Sequence, residues 1–437
     1  MTRLLASLRS ATEALEERPF RLLWLGRTGS AVGDSLVGVA LAFAVLQLTG
    51  SPADLGLVFA AFSLPRVVFT LVGGVWADRL PRQRLMVGTD LVRAAAQGVM
   101  AALLISGVAE VWHLFILAAV LGTSSAFFTP ASIGLIPQLI SASRLQQGNA
   151  LMSLSDSGAH IFGPLLSGLL VAGAGPGWAF AIDSVSFLFS AAFLVQLRLP
   201  PLEPAPRRGF LAELRDGWYE VRSRTWVLAA ILTFSLSNIS MGAFQVLGPL
   251  VAETKLGGAT DWGIVVTGGA VGGLLGGAIA LRWKPRRPLI PAFLIMLPAQ
   301  LELLMLIPPF PAPLLALGSM TTFAAIVISN TLWDTMLQQH IPRASIGRVS
   351  SYDWMVSLVF QPVAFAVVGP LAQTIGLTAT LLLAAGIAGT ANSAVLLVPS
   401  VRALARRDGE GDPIEPEDAT AAAHATEPPR GSVRDGR

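Results

Sequence analysis

The chain has 437 residues, of which 53% are hydrophobic and 13% are charged, and its mean hydropathy is +0.64. In soluble proteins about a quarter of the residues are charged, so this composition indicates an integral membrane protein. The absence of cysteine excludes disulfides and thiolate metal sites, and the four histidines and the net charge of +3 favour neither a metal cluster nor a nucleic-acid partner. We therefore expect no metal and no cofactor.

Apolar stretches of about 20 residues, the length that crosses a bilayer as a helix, occur twelve times along the chain. The predicted spans cover residues 20–48, 54–78, 85–108, 112–140, 148–173, 178–198, 226–251, 261–282, 287–308, 311–338, 347–373 and 376–399. These stretches predict an all-α integral membrane protein with twelve transmembrane helices. Pro130, Pro137 and Pro249 are expected to kink their helices or end them early. No short apolar core with a cleavage site precedes the first span, so no removable signal peptide is expected.

Arginine and lysine mark every second loop of this pattern. The loops after spans 2, 4, 6, 8 and 10 contain Arg79, Arg82, Arg84, Arg144, Arg207, Arg208, Arg215, Arg222, Arg224, Lys284, Arg286, Arg287 and Arg343, whereas the alternate loops contain only Lys255. Because cationic loops stay on the cytoplasmic side, we expect a protein of the inner (cytoplasmic) membrane with both termini in the cytoplasm.

The longest predicted cytoplasmic loop divides the chain into two equal sets of spans. We expect an N-terminal six-helix bundle over 1–198, a cytoplasmic linker over 199–225 and a C-terminal six-helix bundle over 226–400. Residues 401–437, rich in Asp, Glu, Pro, Ala and Gly, are expected to form a disordered cytoplasmic tail.

The two halves repeat one another in sequence. The stretch "GSPADLGLV" begins the second span of the first half, and "GGATDWGIV" begins the second span of the other. The match aligns Asp54 with Asp261 and Gly56 with Gly263. Since each half has six spans and begins on the same side, the repeat is parallel, as in transporters whose two bundles rock about a central site.

The second half of span 2 ends in "GGVWADRLPRQR", residues 73–84. Gly74, Asp78, Arg79 and Arg82 in this stretch resemble the signature loop of the major facilitator superfamily, although proline and glutamine replace a usual glycine and cation at positions 81 and 83. The resemblance implies the major facilitator fold and a conformational latch. Asp78 would meet the positive N-terminal end of span 11, near Asp353, and favour the outward-facing state.

Further stretches resemble one branch of that superfamily. "FTPASIGLIPQLISASRLQQGNAL", "FGPLLSG", "FAIDSVSF" and "SNTLWDTMLQQHIPRASIGRVSSYDW" are similar to the exporters that include the enterobactin exporter and macrolide efflux proteins. Gly163, Pro164 and Gly168 in span 5 are similar to the motif of proton-coupled antiporters, which implies export. Span 4 lacks the arginine that many drug and proton antiporters carry, so coupling must use other charges or differ in kind.

Ionisable residues inside the membrane are costly, and each is a candidate functional group. Asp34 in span 1 and Arg66 in span 2 lie at one depth and form either a structural ion pair or a proton-responsive pair that faces the cavity. Asp156 and His160 lie four residues apart on one face of span 5, where a second coupling pair is possible.

Three other sets of intramembrane charges are expected to serve different purposes. Asp90 and Arg93 are close enough to neutralise each other and are interpreted as a structural pair. Asp183 and Glu302 are expected near the outer ends of their spans, where water reaches them. Asp334, Arg348 and Asp353 are interpreted as a cytoplasmic gate network beside the docking place of Asp78.

A bulky, partly apolar solute requires aromatic and amide contacts. Candidate cavity residues are Asn238, Phe244, Gln245, Asn330 and Trp333, although the same residue types also hold helices together. No Walker A stretch is present, so an ion gradient is the expected source of energy.

These observations indicate that the protein is not an enzyme and favour a monomeric secondary active transporter. It would export a small amphipathic molecule (a drug, siderophore or natural product) by proton antiport with alternating access. A metabolite facilitator or importer, and a transport-inactive membrane interaction partner, remain alternatives.

Overall fold

The computed structural model describes residues 14–197, 218–341 and 343–406. Within these ranges, the side chains of residues 71–75, 77–79, 142, 343–348, 351, 354, 355 and 358 lie outside the description. The membrane helices are α1 (Arg18–Thr49), α2 (Pro52–Arg79), α3 (Arg82–Ile105), α4 (Val111–Leu139), α5 (Leu145–Ala174), α6 (Pro176–Leu194), α7 (Thr225–Lys255), α8 (Ala259–Ala280), α9 (Leu289–Leu304, interrupted), α10 (Ala312–His340), α11 (Arg343–Ile375) and α12 (Leu377–Ala394).

Ten helices of the described chain are long and apolar enough to cross a membrane, and Leu289–Leu304 and Val359–Ile375 form two shorter apolar helices. Together they confirm the all-α fold class and occupy the twelve predicted positions. None of the three prolines ends its helix early: α4 continues through Pro130 and Pro137, and α7 continues through Pro249. The interrupted helix is α9, which contains Pro291 and Pro298 and breaks into short helical pieces.

The loops at one end of the molecule are very short. Gly175 joins α5 to α6 with a φ of 89°, and Gly376 joins α11 to α12 with a φ of 87°. These positive φ angles suit glycine, and Gly175 is followed by Pro176 at the start of α6. The two turns are equivalent in the two halves, as the sequence repeat predicts. Short loops at this end join α1 to α2, α3 to α4 and each later pair of helices, and we call it the short-loop end.

The opposite end contains the basic loops, and we call it the basic end. It includes Arg82 and Arg84 in the first turn of α3, and Arg144, Lys284 and Arg286 between the membrane helices. It is the end that the distribution of cations predicts to be cytoplasmic.

The helices of each half pack mainly on one another. In the first half α1 packs on α5 and α6, and α4 packs on α2 and α3. In the second half α10 packs on α8, and α7 packs on α11 and α12. The principal contacts between the halves are α2 with α11 and α5 with α8. These two contacts are equivalent under the internal repeat, so the halves meet around a pseudo-twofold axis with a cavity between them.

Candidate functional site

A cavity of about 480 Å³ lies between the two halves. Eight aromatic side chains line it: Phe59, Phe62, Phe180, Phe187, Phe244, Trp262, Phe323 and Phe365. Its polar lining residues include Asp34, Arg66, Arg93, Gln97, His160, Gln245 and Gln361. An apolar wall with a few polar groups is the usual composition of a site for a small organic molecule.

Glycines close the cavity at the short-loop end. Gly56 in α2 lies against the backbone carbonyl of Phe365 in α11, and Gly369 in α11 lies against Pro52. Gln373 donates a hydrogen bond of 3.1 Å from Nε2 to Ser51 Oγ in the opposite half. The α2 and α11 backbones can approach this closely because neither glycine has a side chain.

The antiporter-like residues lie at the equivalent contact of α5 with α8. A Cβ on Gly168 would lie 3.1 Å from the Cα of Thr260 and still closer to the carbonyl oxygen of Ala259, and Gly263 lies against the carbonyl of Pro164. Gly163 faces Ser35 of α1, and Pro164 lines the cavity. Both glycines aligned by the repeat, Gly56 and Gly263, therefore mediate contact between the halves.

A cluster of charges forms the polar wall of the cavity. Arg93 in α3 forms an ion pair with Asp90 and lies 3.9 Å, nitrogen to oxygen, from the carboxylate of Asp34 in α1. Its guanidinium is sandwiched between the rings of Phe128 and Phe187, at 4.0 and 4.2 Å from their centroids. Asp90 is fully buried, whereas the side chain of Asp34 is 51% exposed. Arg93 thus connects a buried acid to one that the cavity can reach.

This result changes two interpretations made from the sequence. Asp90 and Arg93 are in contact, but Arg93 also faces the cavity and is not confined to a local pair. The described ion-pair partner of Asp34 is Arg93 instead of Arg66. Arg66 lines the same cavity with an exposed side chain. The structural ion pair expected between Asp34 and Arg66 is not formed, because depth alone does not determine which side chains meet, whereas both residues line one cavity, as the alternative required.

Asp183 lies behind this cluster, in α6. Its carboxylate accepts hydrogen bonds from Gln97 Nε2 at 2.8 Å and from Ser186 Oγ at 3.0 Å, and the residue is fully buried. Glu302 in α9 is also buried, at 2% exposure. The expectation that water reaches both residues at the ends of their spans was therefore wrong, because other helices cover them.

The second predicted coupling pair is also arranged differently. Asp156 in α5 accepts from Arg27 of α1 at 3.4 Å, and Arg27 also donates to Ser132 of α4. His160 is exposed and lines the cavity. No described hydrogen bond or ion pair joins Asp156 to His160, because Arg27 from the neighbouring helix takes the carboxylate.

The five predicted substrate contacts separate into two groups. Phe244 and Gln245 line the cavity. Asn238 donates to the carbonyl of Ser357 at 3.0 Å, and Trp333 donates to Asp353 Oδ2 at 2.8 Å, so both hold helices together.

Asn330, the remaining predicted substrate contact, is exposed on α10 and is not among the cavity-lining residues. The other aromatic residues of the cavity were missed, because nothing in the local sequence separates aromatic side chains that face a cavity from those that face lipid; they are Phe59, Phe62, Phe180, Phe187, Trp262, Phe323 and Phe365.

The proposed latch is described only in part. Gly74, Asp78 and Arg79 have side chains outside the described residues, so their contacts stay predictions. Arg82 donates to the carbonyl of Gly134 in α4. Gln83, which replaces a cation of the signature loop, donates to the carbonyls of Leu194 and Leu197 at 2.7 Å. The amide of Gln83 thereby satisfies carbonyls at the C-terminal end of α6.

The family model of the Major Facilitator Superfamily matches residues 23–357. The chain belongs to this superfamily. Among its relatives, the multidrug efflux pump Tap of Mycolicibacterium fortuitum is 28% identical over 383 residues, which cover 83% of this chain and 91% of Tap. Macrolide efflux protein A of Streptococcus pyogenes is 24% identical, covering 82% and 90% of the two chains. The enterobactin exporter EntS of Shigella boydii is 27% identical, covering 76% and 80%.

Solved structures agree on the fold. The crystal structure of the nucleoside transporter NupG has a TM-score of 0.70 at 12% identity and covers 87% of this chain and 99% of its own. A bacterial homologue of the iron transporter ferroportin has a TM-score of 0.67 at 19% identity, with 87% and 98% covered. This superfamily member is thus a multi-pass membrane transporter whose sequence relatives include efflux proteins.

Proposed function

We propose that this protein exports a small amphipathic organic molecule across the cytoplasmic membrane by proton antiport. The observation that carries the proposal is the cavity between the halves, in which an aromatic wall surrounds the exposed carboxylate of Asp34. Aromatic rings suit the apolar part of a solute, and the carboxylate is a group that a proton or a cation can occupy.

The contact of Asp34 with Arg93 supports a role in coupling. At 3.9 Å the pair is loose, and Asp34 is half exposed, so a proton from the cavity can reach the carboxylate. Protonation of Asp34 removes one charge from the cluster while Arg93 keeps its ion pair with buried Asp90. Proton binding at Asp34 therefore weakens the contact between α1 and α3 without leaving Arg93 uncompensated. Arg66 and His160, which line the same cavity, complete the proposed coupling set. Asp156, which pairs with Arg27, lies beside it.

Alternating access is proposed to use the two contacts between the halves. The N-terminal bundle (1–198) and the C-terminal bundle (226–400), joined by a cytoplasmic linker (199–225), would rock about the α2–α11 and α5–α8 contacts. The described contacts join the halves at the short-loop end, and we propose that the cavity opens toward the basic end. With both termini and the 401–437 tail in the cytoplasm, this is the state that loads substrate from inside the cell. We propose that a monomer suffices, because one chain forms the whole cavity.

The efflux relatives support the direction and the substrate class. Tap is a multidrug efflux pump, macrolide efflux protein A acts on macrolides, and EntS exports enterobactin, as their names state. We propose an organic substrate of the same kind, bulky and partly apolar.

Everted membrane vesicles test this function. A panel of a macrolide, a catecholate siderophore and an aromatic fluorescent dye is offered with an inward-acidic proton gradient. An exporter accumulates at least one of these solutes and loses it when the gradient is collapsed. Equilibration without accumulation would indicate a facilitator or importer of a metabolite, and the absence of any transport would indicate an interaction partner.

A further inference from the structure

Glu302 is a buried acid in the second half that no step of the proposed coupling uses. It lies in the last helical piece of α9 and is 2% exposed. Its Oε1 atom is buried and has no hydrogen-bond partner of normal geometry among the described residues. A carboxyl group in this environment cannot be hydrated as it would be at a surface.

The surroundings of Glu302 contain no compensating charge. The polar side chains that face it from α10 are the hydroxyls of Ser319 and Thr322. No ionisable residue occurs in α12, and Glu302 is the one ionisable residue of Leu289–Leu304. The ionisable residues of α7 and α10 are Glu253, Lys255, Asp334 and His340, and none of them acts on Glu302. An isolated carboxylate buried in this way is very costly, whereas the neutral acid is tolerated.

Glu302 also lines a small pocket inside the second half. The pocket has a volume of about 30 Å³, and its polar lining comprises Ser237, Ser240, Gln300, Glu302 and Thr322. The four polar groups other than Glu302 already have hydrogen bonds: Ser240 donates to Gln300 at 2.8 Å, Thr322 donates to the carbonyl of Ala299 at 3.1 Å, and Ser237 accepts from Asn392 at 2.9 Å. The volume is enough for about one or two waters, which need polar partners such as these. A water held in the pocket would be both a proton donor and a proton acceptor for Glu302.

Phe244 separates this pocket from the main cavity. Its side chain lines both spaces and is almost fully buried, at 3% exposure. The ring packs on Trp262 with centroids 4.9 Å apart. A rotation of this ring would join the pocket to the water of the main cavity.

We propose that Glu302 is a second proton-binding residue, which exchanges its proton with the main cavity past Phe244. The proton comes from cavity water, forms the O–H bond of the carboxyl group and returns to water when that bond breaks. No other bond changes and no co-reactant is needed. The site lies in the second half and does not depend on Asp34.

Infrared spectroscopy of the full-length protein in liposomes at neutral pH tests the proposal without any substrate. The carbonyl stretch of a protonated carboxyl group is recorded in H₂O and then after exchange into D₂O. We expect a component that Glu302→Gln abolishes, that Asp34→Asn and Glu302→Asp retain, and that shifts in D₂O. Phe244→Ala is expected to accelerate that shift, because it opens the path to the cavity.

Three results would overturn the proposal. An unchanged spectrum in Glu302→Gln would mean that Glu302 is ionised. A component that Glu302→Gln removes but that never shifts in D₂O would mean a trapped proton with no exchange. An equal exchange rate in wild type and Phe244→Ala would exclude the path past Phe244. Because Asp34 is assayed separately, failure here is distinguishable from failure of antiport through Asp34.

Discussion

The guanidinium of Arg93 in α3 lies 3.9 Å from the carboxylate of Asp34 in α1, at the wall of the cavity between the halves. The same guanidinium forms an ion pair with Asp90, which is fully buried. One cation therefore contacts one acid that is buried inside the bundle and one acid that the cavity can reach. Under the proposed antiport, Asp34 would bind and release a proton while the ion pair of Arg93 with Asp90 stays in place.

Removal of Arg93 should destabilise the protein. Arg93→Met leaves the buried carboxylate of Asp90 without its cation, and breaking a buried pair in this way costs about 3–5 kcal/mol. Thermal unfolding of the purified protein in detergent measures the loss. Arg66→Met is the matched control, because Arg66 is exposed and has no ion pair within the described part of the chain. Equal melting temperatures for both variants would show that Arg93 is not structurally required.

Two glycines of α5 should respond differently to the same substitution. Gly168→Ala places a methyl group against the carbonyl of Ala259 in α8, whereas nothing lies within 4 Å of a Cβ on Gly158. Overpacking a close helix contact costs about 1–3 kcal/mol, so Gly168→Ala should disfavour closure at the short-loop end and reduce transport. Gly158→Ala should transport as wild type does. If the two variants are equally active, closure does not depend on this contact.

The membrane topology can be tested with introduced cysteines, because the chain has none of its own. Val108 is 60% exposed in a loop at the short-loop end, and Ser223 is exposed at the basic end. An impermeant thiol reagent added to intact cells should label Val108→Cys and leave Ser223→Cys unlabelled until the membrane is opened. The reverse pattern would place the termini outside the cytoplasm.

The number of helices and the equivalence of the two halves could be predicted from the sequence, whereas the contacts inside the site could not. Apolar length is a local property, and the repeat that aligns Gly56 with Gly263 indicated equivalent positions, both of which prove to lie between the halves. The contact of Arg93 with Asp34 was missed because Asp90, three residues away on the same helix, was a sufficient partner for the charge of Arg93. The rings of Phe59 and Phe365 lie 5.4 Å apart between centroids, although more than three hundred residues separate them in the chain. Such a contact could not be predicted, because no local pattern separates cavity-facing from lipid-facing phenylalanines.

The signature loop yields a prediction that rests on its sequence alone. Asp78→Asn should impair export while leaving membrane insertion intact, because it removes the charge proposed to meet the N-terminal end of α11 and keeps the arginines that set topology. Transport in everted vesicles and the amount of protein in the membrane are measured together, with Asp54→Asn at the short-loop end as the control. Full export activity in Asp78→Asn would refute the latch.

The central claim is that Asp34 carries the coupled proton, and Asp34→Asn tests it most directly. The amide mimics the protonated acid, so the variant should still bind and exchange a transported solute across the membrane. It should lose the accumulation that an inward-acidic gradient drives in everted vesicles, since no proton can be bound or released at position 34. Exchange and uphill accumulation are measured in the same vesicles, with the solute that the wild-type protein accumulates. Retained exchange with abolished uphill accumulation is the predicted result, and uphill accumulation by Asp34→Asn would contradict the account.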